Sequence, residues 1–302
     1  MISVIICTYN REKYIFRVLE SLAKNDYPYS EYEIVLIDNN CTDGTAAELE
    51  RFKASYPEVS FRYFLEPSQG LSYARNRGIR ESKGEILVYV DDDAFVDAKY
   101  LANYAELFNR RPDIDAAGGP IIPYYESGIE PEWMTYHLKR LLTGFLYFGD
   151  SERDFPGKNY PGGGNAAYRK AVFDKIGLYN PDLGRNGENL GCGEEKDIFD
   201  KMTAAGMKFV YVPECILHHM IPQYKLEQEY FDRVTEGIGT SERLRTLKIS
   251  KAKYLKRLFQ EAVKWGGTFV LALSYLLRLK PQCSSKLLRL RWNVTRKMIK
   301  QG

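Results

Sequence analysis

The sequence predicts an α/β protein: a mainly parallel sheet flanked by helices, followed by a helical, basic C-terminal extension. Three observations carry this reading. The first ninety residues alternate apolar, strand-like runs with amphipathic stretches. Three polar clusters, Thr8-Tyr9-Asn10, Asp38-Asn39-Asn40 and Asp91-Asp92-Asp93, each follow such a run. The charge is also divided. Residues 248–302 hold 14 Lys/Arg and one acid, Glu261, a balance of +13, whereas residues 1–247 carry 29 Lys/Arg against 39 acids, or −10.

The elements follow in order. Residues 2–7 are continuously apolar, the pattern of a strand buried on both faces. Residues 12–23 place Ile15, Val18, Leu19 and Leu22 on one helical stripe. Residues 33–37 read as a second strand, and 43–56 as a helix that stops before Pro57. Residues 60–65 are a third, weaker strand. Residues 72–82 form a helix ended by Lys83-Gly84, and 85–90 a fourth strand. This alternation implies right-handed crossovers between parallel strands, with ligands bound beyond the strands' carboxyl ends. The three polar clusters fall there.

Further on, residues 114–122 read as a strand, and 130–148 as aromatic-rich and partly helical. Residues 160–168 read as a glycine-dense turn. Residues 184–193 hold four glycines and read as a mobile loop able to close over a donor. A helix is expected over 194–206 and a strand over 208–212, with His218 and His219 after it. From about residue 225 the chain reads as helical. Residues 268–279 are apolar nearly all round but too short to cross a bilayer as a helix. With basic flanks, this segment suits an anionic membrane surface; a docking helix buried on the body or in a dimer is the alternative.

Composition narrows the classes. With 302 residues, the chain suits one large domain or one domain with an appendage. Its five cysteines are scattered and form no CxxC pair, which argues against a disulfide framework or zinc cluster and for a reducing cytosol. No secretory signal is visible ahead of the first strand, and no nucleic-acid-binding module is apparent.

The candidate chemistry begins at Asp91-Asp92-Asp93. Adjacent carboxylates repel, and a fold that gathers them at a strand end has a cation to hold. Mn²⁺ or Mg²⁺ suits oxygen ligands shared with phosphates. Asp38 ends the second strand, where a carboxylate can accept from a base or ribose. Arg75, near a helix start, can reach a phosphate or base. Glu194 and Glu195 open a helix, where the dipole favours acids; either can serve as a general base. One of His218 and His219 is a credible extra metal ligand.

Taken together, these stretches resemble the inverting glycosyltransferase family 2, with its Rossmann-like A-type glycosyltransferase fold. The matching pieces, in order, are 3–11, 34–45 and 70–79, then Val90-Asp91-Asp92-Asp93, Gly163-Gly164-Asn165, Gly193-Glu194-Glu195-Lys196-Asp197, and Val212-Pro213 leading to His218-His219. The resemblance covers roughly residues 1–245. It implies that Thr8, Tyr9, Asn10, Asp38, Arg75, Asp91 and Asp92 line the nucleotide-sugar pocket. It implies metal binding by Asp93 and Asp91 with His218 or His219, and a sugar and acceptor bordered by Gly163, Gly164 and Asn165. Glu195 matches the catalytic base. Because the family's usual Glu-Asp is Glu-Glu here, Glu194 stays a second candidate.

The resulting expectation is a catalytic domain over 1–245, with a nucleotide-binding half over 1–110 and an acceptor half over 111–245, and a basic extension over 246–302. The expected reaction moves a sugar from a nucleotide-sugar, a UDP-sugar foremost, to a hydroxyl of a glycan or lipid-linked acceptor. The expected setting is surface polysaccharide synthesis on the cytoplasmic face of the cell membrane, with peripheral attachment through residues 248–302. The sequence sets no oligomeric state. A catalytically inactive nucleotide-binding regulator or scaffold on the same fold is the competing reading. A nucleotidyltransferase is disfavoured, because Thr8-Tyr9-Asn10-Arg11 has no glycine where a phosphate loop needs one.

Overall fold

The computed structural model describes residues 1–186 and 193–300. The expected closing loop over 184–193 therefore lies, for residues 187–192, outside the described residues. The described chain divides into two compact units. The first comprises residues 1–124, 144–186 and 193–220, and the second 125–143 and 221–300.

In the first unit the alternation takes the expected form. Its elements are β1 (Ile2–Thr8), α1 (Ile15–Ala23), β2 (Tyr32–Asp38), α2 (Thr45–Ser55), β3 (Phe61–Leu65), α3 (Leu71–Glu81) and β4 (Ile86–Val90). There follow β5 (Ala94–Val96), α4 (Tyr100–Arg110), β6 (Ala116–Gly118) and β7 (Ile121–Tyr125). After α5 (Tyr136–Thr143), which belongs to the second unit, come β8 (Arg153–Asp154), β9 (Asn165–Arg169), α6 (Ala171–Ile176), α7 (Glu194–Ala204), β10 (Phe209–Tyr211) and β11 (Leu217–Ile221). Eight strands make one sheet in the order β3-β2-β1-β4-β9-β6-β10-β8, and β5-β11-β7 make a second.

The period of two along β1 divides its side chains between two helical layers. Ile2, Val4 and Ile6 pack with Ile15, Val18, Leu19 and Leu22 of α1 and with Tyr100, Leu101 and Tyr104 of α4. Ile5 faces the other way, toward Ile79 of α3 and Ile198, Phe199 and Met202 of α7. Burying each such aliphatic side chain stabilises the fold by about 1.5–3 kcal/mol. At Gly78 the helix comes so close to the sheet that a Cβ would lie 2.4 Å from Ile5.

Register sets the site. β1 is parallel to β2, with Thr8 opposite Asp38, and to β4, with Ile5 opposite Tyr89. The ends of all three strands thus reach one edge of the sheet. β9 runs antiparallel to β4 with Asn165 opposite Val90, so the turn before β9 meets the same edge.

Two expectations need correction here. The stretch 114–122 is not one strand. β6 belongs to the large sheet and β7 to the small one, because Gly119-Pro120 interrupts them: proline has no N–H to donate, and a Cβ at Gly119 would lie 1.9 Å from the Cys215 carbonyl oxygen. Likewise, only the first part of 160–168 is a turn. Asn165, Ala166, Ala167 and Tyr168 form a buried strand between β4 and β6, where the two alanines fit the closely packed interior.

The second unit is helical: α5, α8 (Gln228–Ile249), α9 (Lys251–Leu277) and α10 (Pro281–Ile299). Leu138 and Leu142 of α5 meet Phe231 of α8 and Leu287 of α10 in its core. Arg257 and Arg291 both donate to Glu261, at 2.8 and 2.6 Å. Among the described residues, no helix is long and apolar enough to cross a membrane.

Candidate active site

The loops after β1 and β2 are laced together. Asn10 sits at φ +54, a left-handed conformation that asparagine tolerates. Its Oδ1 accepts the Thr42 N–H at 2.8 Å, and its own N–H donates to Cys41 Sγ at 3.2 Å. Thr8 is buried, and its Oγ1 has no partner among the described residues. Tyr9 is exposed. Asp38 is buried and already engaged: Oδ1 accepts the Cys41 N–H at 2.7 Å and Oδ2 the Tyr63 hydroxyl at 2.9 Å. Burial, then that hydrogen bond, pushes the Tyr63 phenol up to about 12.

Asp92 holds the first loop in place. Its Oδ2 accepts the Tyr9 N–H at 3.2 Å and its Oδ1 the Arg11 Nε at 3.1 Å. Each oxygen thus takes one contact within the protein, and Asp92 supports Tyr9 and Arg11 in the loop after β1.

Asn39 and Tyr63 escaped the sequence reading. Asn39 donates to the carbonyls of Glu66 and Ser68 at 3.0 and 2.8 Å and accepts the Gly70 N–H at 2.8 Å. It fixes the segment that leads into α3, where Gly70 takes φ +140. The signal available was the asparagine directly after Asp38, at a strand end.

Arg75 is carried inward on α3. Its guanidinium lies over the rings of Tyr179 and Tyr89, 5.3 and 5.8 Å from their centroids. Nη1 donates to Glu194 Oε1 at 3.1 Å and Nη2 to Glu195 Oε1 at 3.0 Å. Burial works against its charge, but Glu195, Tyr179, Glu194 and Asp91 outweigh that, and its pKa stands above the ordinary arginine value. Arg75 thus clamps two glutamates.

The glutamates differ. The Glu194 side chain is 6% exposed and that of Glu195 31%. They open α7, where the N-terminal dipole favours negative charge. Burial raises the Glu195 pKa, Arg75 draws it back, and Glu194 raises it again.

The turn before β9 explains its glycines. A Cβ on Gly163 would lie 1.8 Å from Glu195 Oε1, and one on Gly164 2.0 Å from Asp91 Oδ2. Consecutive residues of one turn are therefore flanked by Glu195 and Asp91. Asn165 is different. It is fully buried, its Oδ1 accepts the Tyr100 and Tyr104 hydroxyls at 2.7 and 2.8 Å, and its Nδ2 donates to the carbonyls of Pro120 and Cys215 at 2.8 and 2.9 Å. All four of these hydrogen bonds are made inside the protein, and through them Asn165 braces the turn.

The histidines resolve by strand geometry. They follow β10, as expected, and lie within the next strand, β11, where neighbours face opposite ways. His219 Nε2 lies 3.1 Å from Asp93 Oδ1. His218 stacks on Phe95, with centroids 4.8 Å apart, and its Nε2 lies 2.8 Å from Asp97 Oδ1. Among the described residues, no group of three or more His, Cys, Asp or Glu side chains closes around a metal position. The Asp91 carboxylate lies near the Asp93 charge and the His219 imidazole, and His219 contacts Asp93. Burial and then the Asp93 charge raise the Asp91 pKa, a crowding that a divalent cation sharing its remaining positions with phosphate would relieve.

Comparison with known proteins bears on the family and the fold. The model for Glycosyl transferase family 2 matches residues 3–177. A glucosyl-dolichyl phosphate glucuronosyltransferase of Haloferax volcanii is 24% identical over 272 residues, 85% of this chain and 82% of its own length. The poly(ribitol-phosphate) beta-N-acetylglucosaminyltransferase TarS of Staphylococcus aureus is 35% identical over 103 residues, which cover 34% of this chain but only 18% of TarS. Among solved structures, the mannosyltransferase PcManGT of Pyrobaculum calidifontis, in complex with GDP-Man and Mn²⁺, has a TM-score of 0.62 at 18% identity, covering 97% of this chain and 86% of that one. S. aureus TarS 1–349 with UDP-GlcNAc has a TM-score of 0.52 at 17% identity, covering 98% and 90%. The large sheet flanked by helices is similar to A-type glycosyltransferase structures, and a C-terminal helical extension is added to it. The chain belongs to glycosyl transferase family 2.

Proposed function

We propose that this chain transfers a sugar, with inversion, from a nucleotide-sugar to a hydroxyl of a glycan or lipid-linked acceptor. A UDP-sugar is the favoured donor. One observation carries the reading: the half-open Glu195 carboxylate lies against the same two-glycine turn as Asp91, so a base and a donor anchor flank one small space. The lipid-linked acceptor draws support from the H. volcanii relative, described as acting on glucosyl-dolichyl phosphate.

In this mechanism Glu195 accepts the proton of the acceptor hydroxyl, whose oxygen attacks the anomeric carbon. The bond to the diphosphate breaks as the new one forms, so configuration inverts and no covalent enzyme intermediate arises. Thr8, Tyr9, Asn10 and Asp38 bind the nucleoside. Gly163 and Gly164 let the sugar approach the backbone. Arg75 orients Glu195 and holds its charged form. Asp91, Asp93 and His219 would hold Mn²⁺ or Mg²⁺, which supplies positive charge against the leaving diphosphate.

The extension adds an address. Residues 248–302, with 14 cations and one acid, suit the anionic inner face of the cell membrane, where a lipid-linked acceptor resides. The reading is tested by measuring nucleoside diphosphate release from UDP-, GDP- and dTDP-sugars with Mn²⁺. Release from one donor, abolished by Glu195→Gln, supports it; no release from any donor favours the inactive scaffold.

A further inference from the structure

We infer that one face of α9 is the surface that lies on anionic lipid. This rests on the membrane reading above and narrows it to a single helix face.

The helix has two unlike sides. Arg257, Glu261, Thr268 and Ala272 are buried. On the opposite side Leu255, Phe259, Val263, Val270, Leu273 and Leu277 recur at three-, four- and seven-residue spacing, so they share one stripe. All are exposed, Phe259 at 71%, Val270 at 69% and Leu277 at 78%. The stripe runs for roughly 33 Å, at about 1.5 Å per residue. The inner side of the helix is charged, so the helix suits lying along a bilayer surface instead of crossing it.

Charge selects the occupant. Lys256 and Arg278 border the stripe, Lys253 and Lys264 lie farther round the helix, and all four are exposed. The helix's one acid, Glu261, is turned inward onto Arg257 and Arg291. The exposed surface of α9 is therefore apolar and cationic with no carboxylate. A second copy packed along the stripe would set lysine against lysine with no acid to pair. A phospholipid surface with anionic headgroups matches both the apolar centre and the basic margins.

The test uses the full chain with vesicles of phosphatidylcholine, with and without phosphatidylglycerol. The parent should sediment with the anionic vesicles and lose them as salt rises. Phe259→Asp/Val270→Asp should bind roughly tenfold less or weaker, with unchanged helical circular dichroism and unchanged nucleotide release in vesicle-free solution. Equal binding by parent and variant overturns the face while leaving the extension's membrane role standing. No binding by either overturns both. A parent of doubled mass that the variant halves, with no response to vesicles, assigns the face to a second copy.

Discussion

At Arg75 a single guanidinium serves two carboxylates, and pH reads out the consequence. Burial lifts Glu195 above the ordinary glutamate range, and the Arg75 charge draws it back. A base works deprotonated, so transfer is full above the folded-state pKa and is lost as pH falls through it. The acid limb of kcat/KM should therefore lie above the ordinary glutamate value. Arg75→Met removes the charge that favours the carboxylate and should move the limb to higher pH, whereas Arg75→Lys should move it less. An unmoved limb in Arg75→Met would remove Arg75 from the account. The histidines make a second test at this scale. His219→Ala should weaken Mn²⁺ activation by roughly 10- to 100-fold in half-saturating metal. His218→Ala should leave it intact and cost about 1 kcal/mol of stability through the lost Phe95 stack. The reverse pattern in metal titrations would exchange their roles.

Elements carry the next level of argument, and Asn165 is its sharpest case. Through one side chain it ties β9 to α4 and to the carbonyls of Pro120 and Cys215. Asn165→Ala takes a partner from two hydroxyls and from the Cys215 carbonyl, whereas the Pro120 carbonyl keeps the Leu217 N–H; a buried polar group left unsatisfied costs about 1–3 kcal/mol. A large fall in melting temperature should follow, with nucleotide affinity retained in whatever folds. A variant of parental stability and lost sugar affinity would restore Asn165 to the sugar pocket. Nothing in the sequence separated these roles, because glycines beside an asparagine read as a turn whether or not the asparagine is buried. β1, β2 and β4 were legible because each is a short apolar run closed by a polar cluster, whereas β3, with Arg62 in it, gave a weaker signal. The break at Gly119-Pro120 carried its signal in the proline, which the apolar flanks masked. His218 and His219 looked equivalent until β11 gave them opposite directions.

At the scale of the whole molecule, the division of charge seen in the sequence follows the chain's architecture. An acidic α/β unit carries the candidate site, and a helical unit carries the cationic, apolar face of α9. The family and fold class were readable because an ordered set of short motifs is far more specific than any one of them. Side-chain commitments were not: Asp92, Arg75 and Asn165 spend their hydrogen bonds on the protein in ways that depend on contacts distant in sequence. The choice between Glu194 and Glu195 depends on the same kind of contact. The most direct measurement is a side-by-side assay of Glu195→Gln and Glu194→Gln for nucleoside diphosphate release and for calorimetric binding of the accepted nucleotide-sugar. Glu195→Gln should lose roughly 10²- to 10⁴-fold in turnover while binding the donor as the parent does, and Glu194→Gln should retain the greater share of turnover. A Glu195→Gln enzyme with parental turnover would contradict the account.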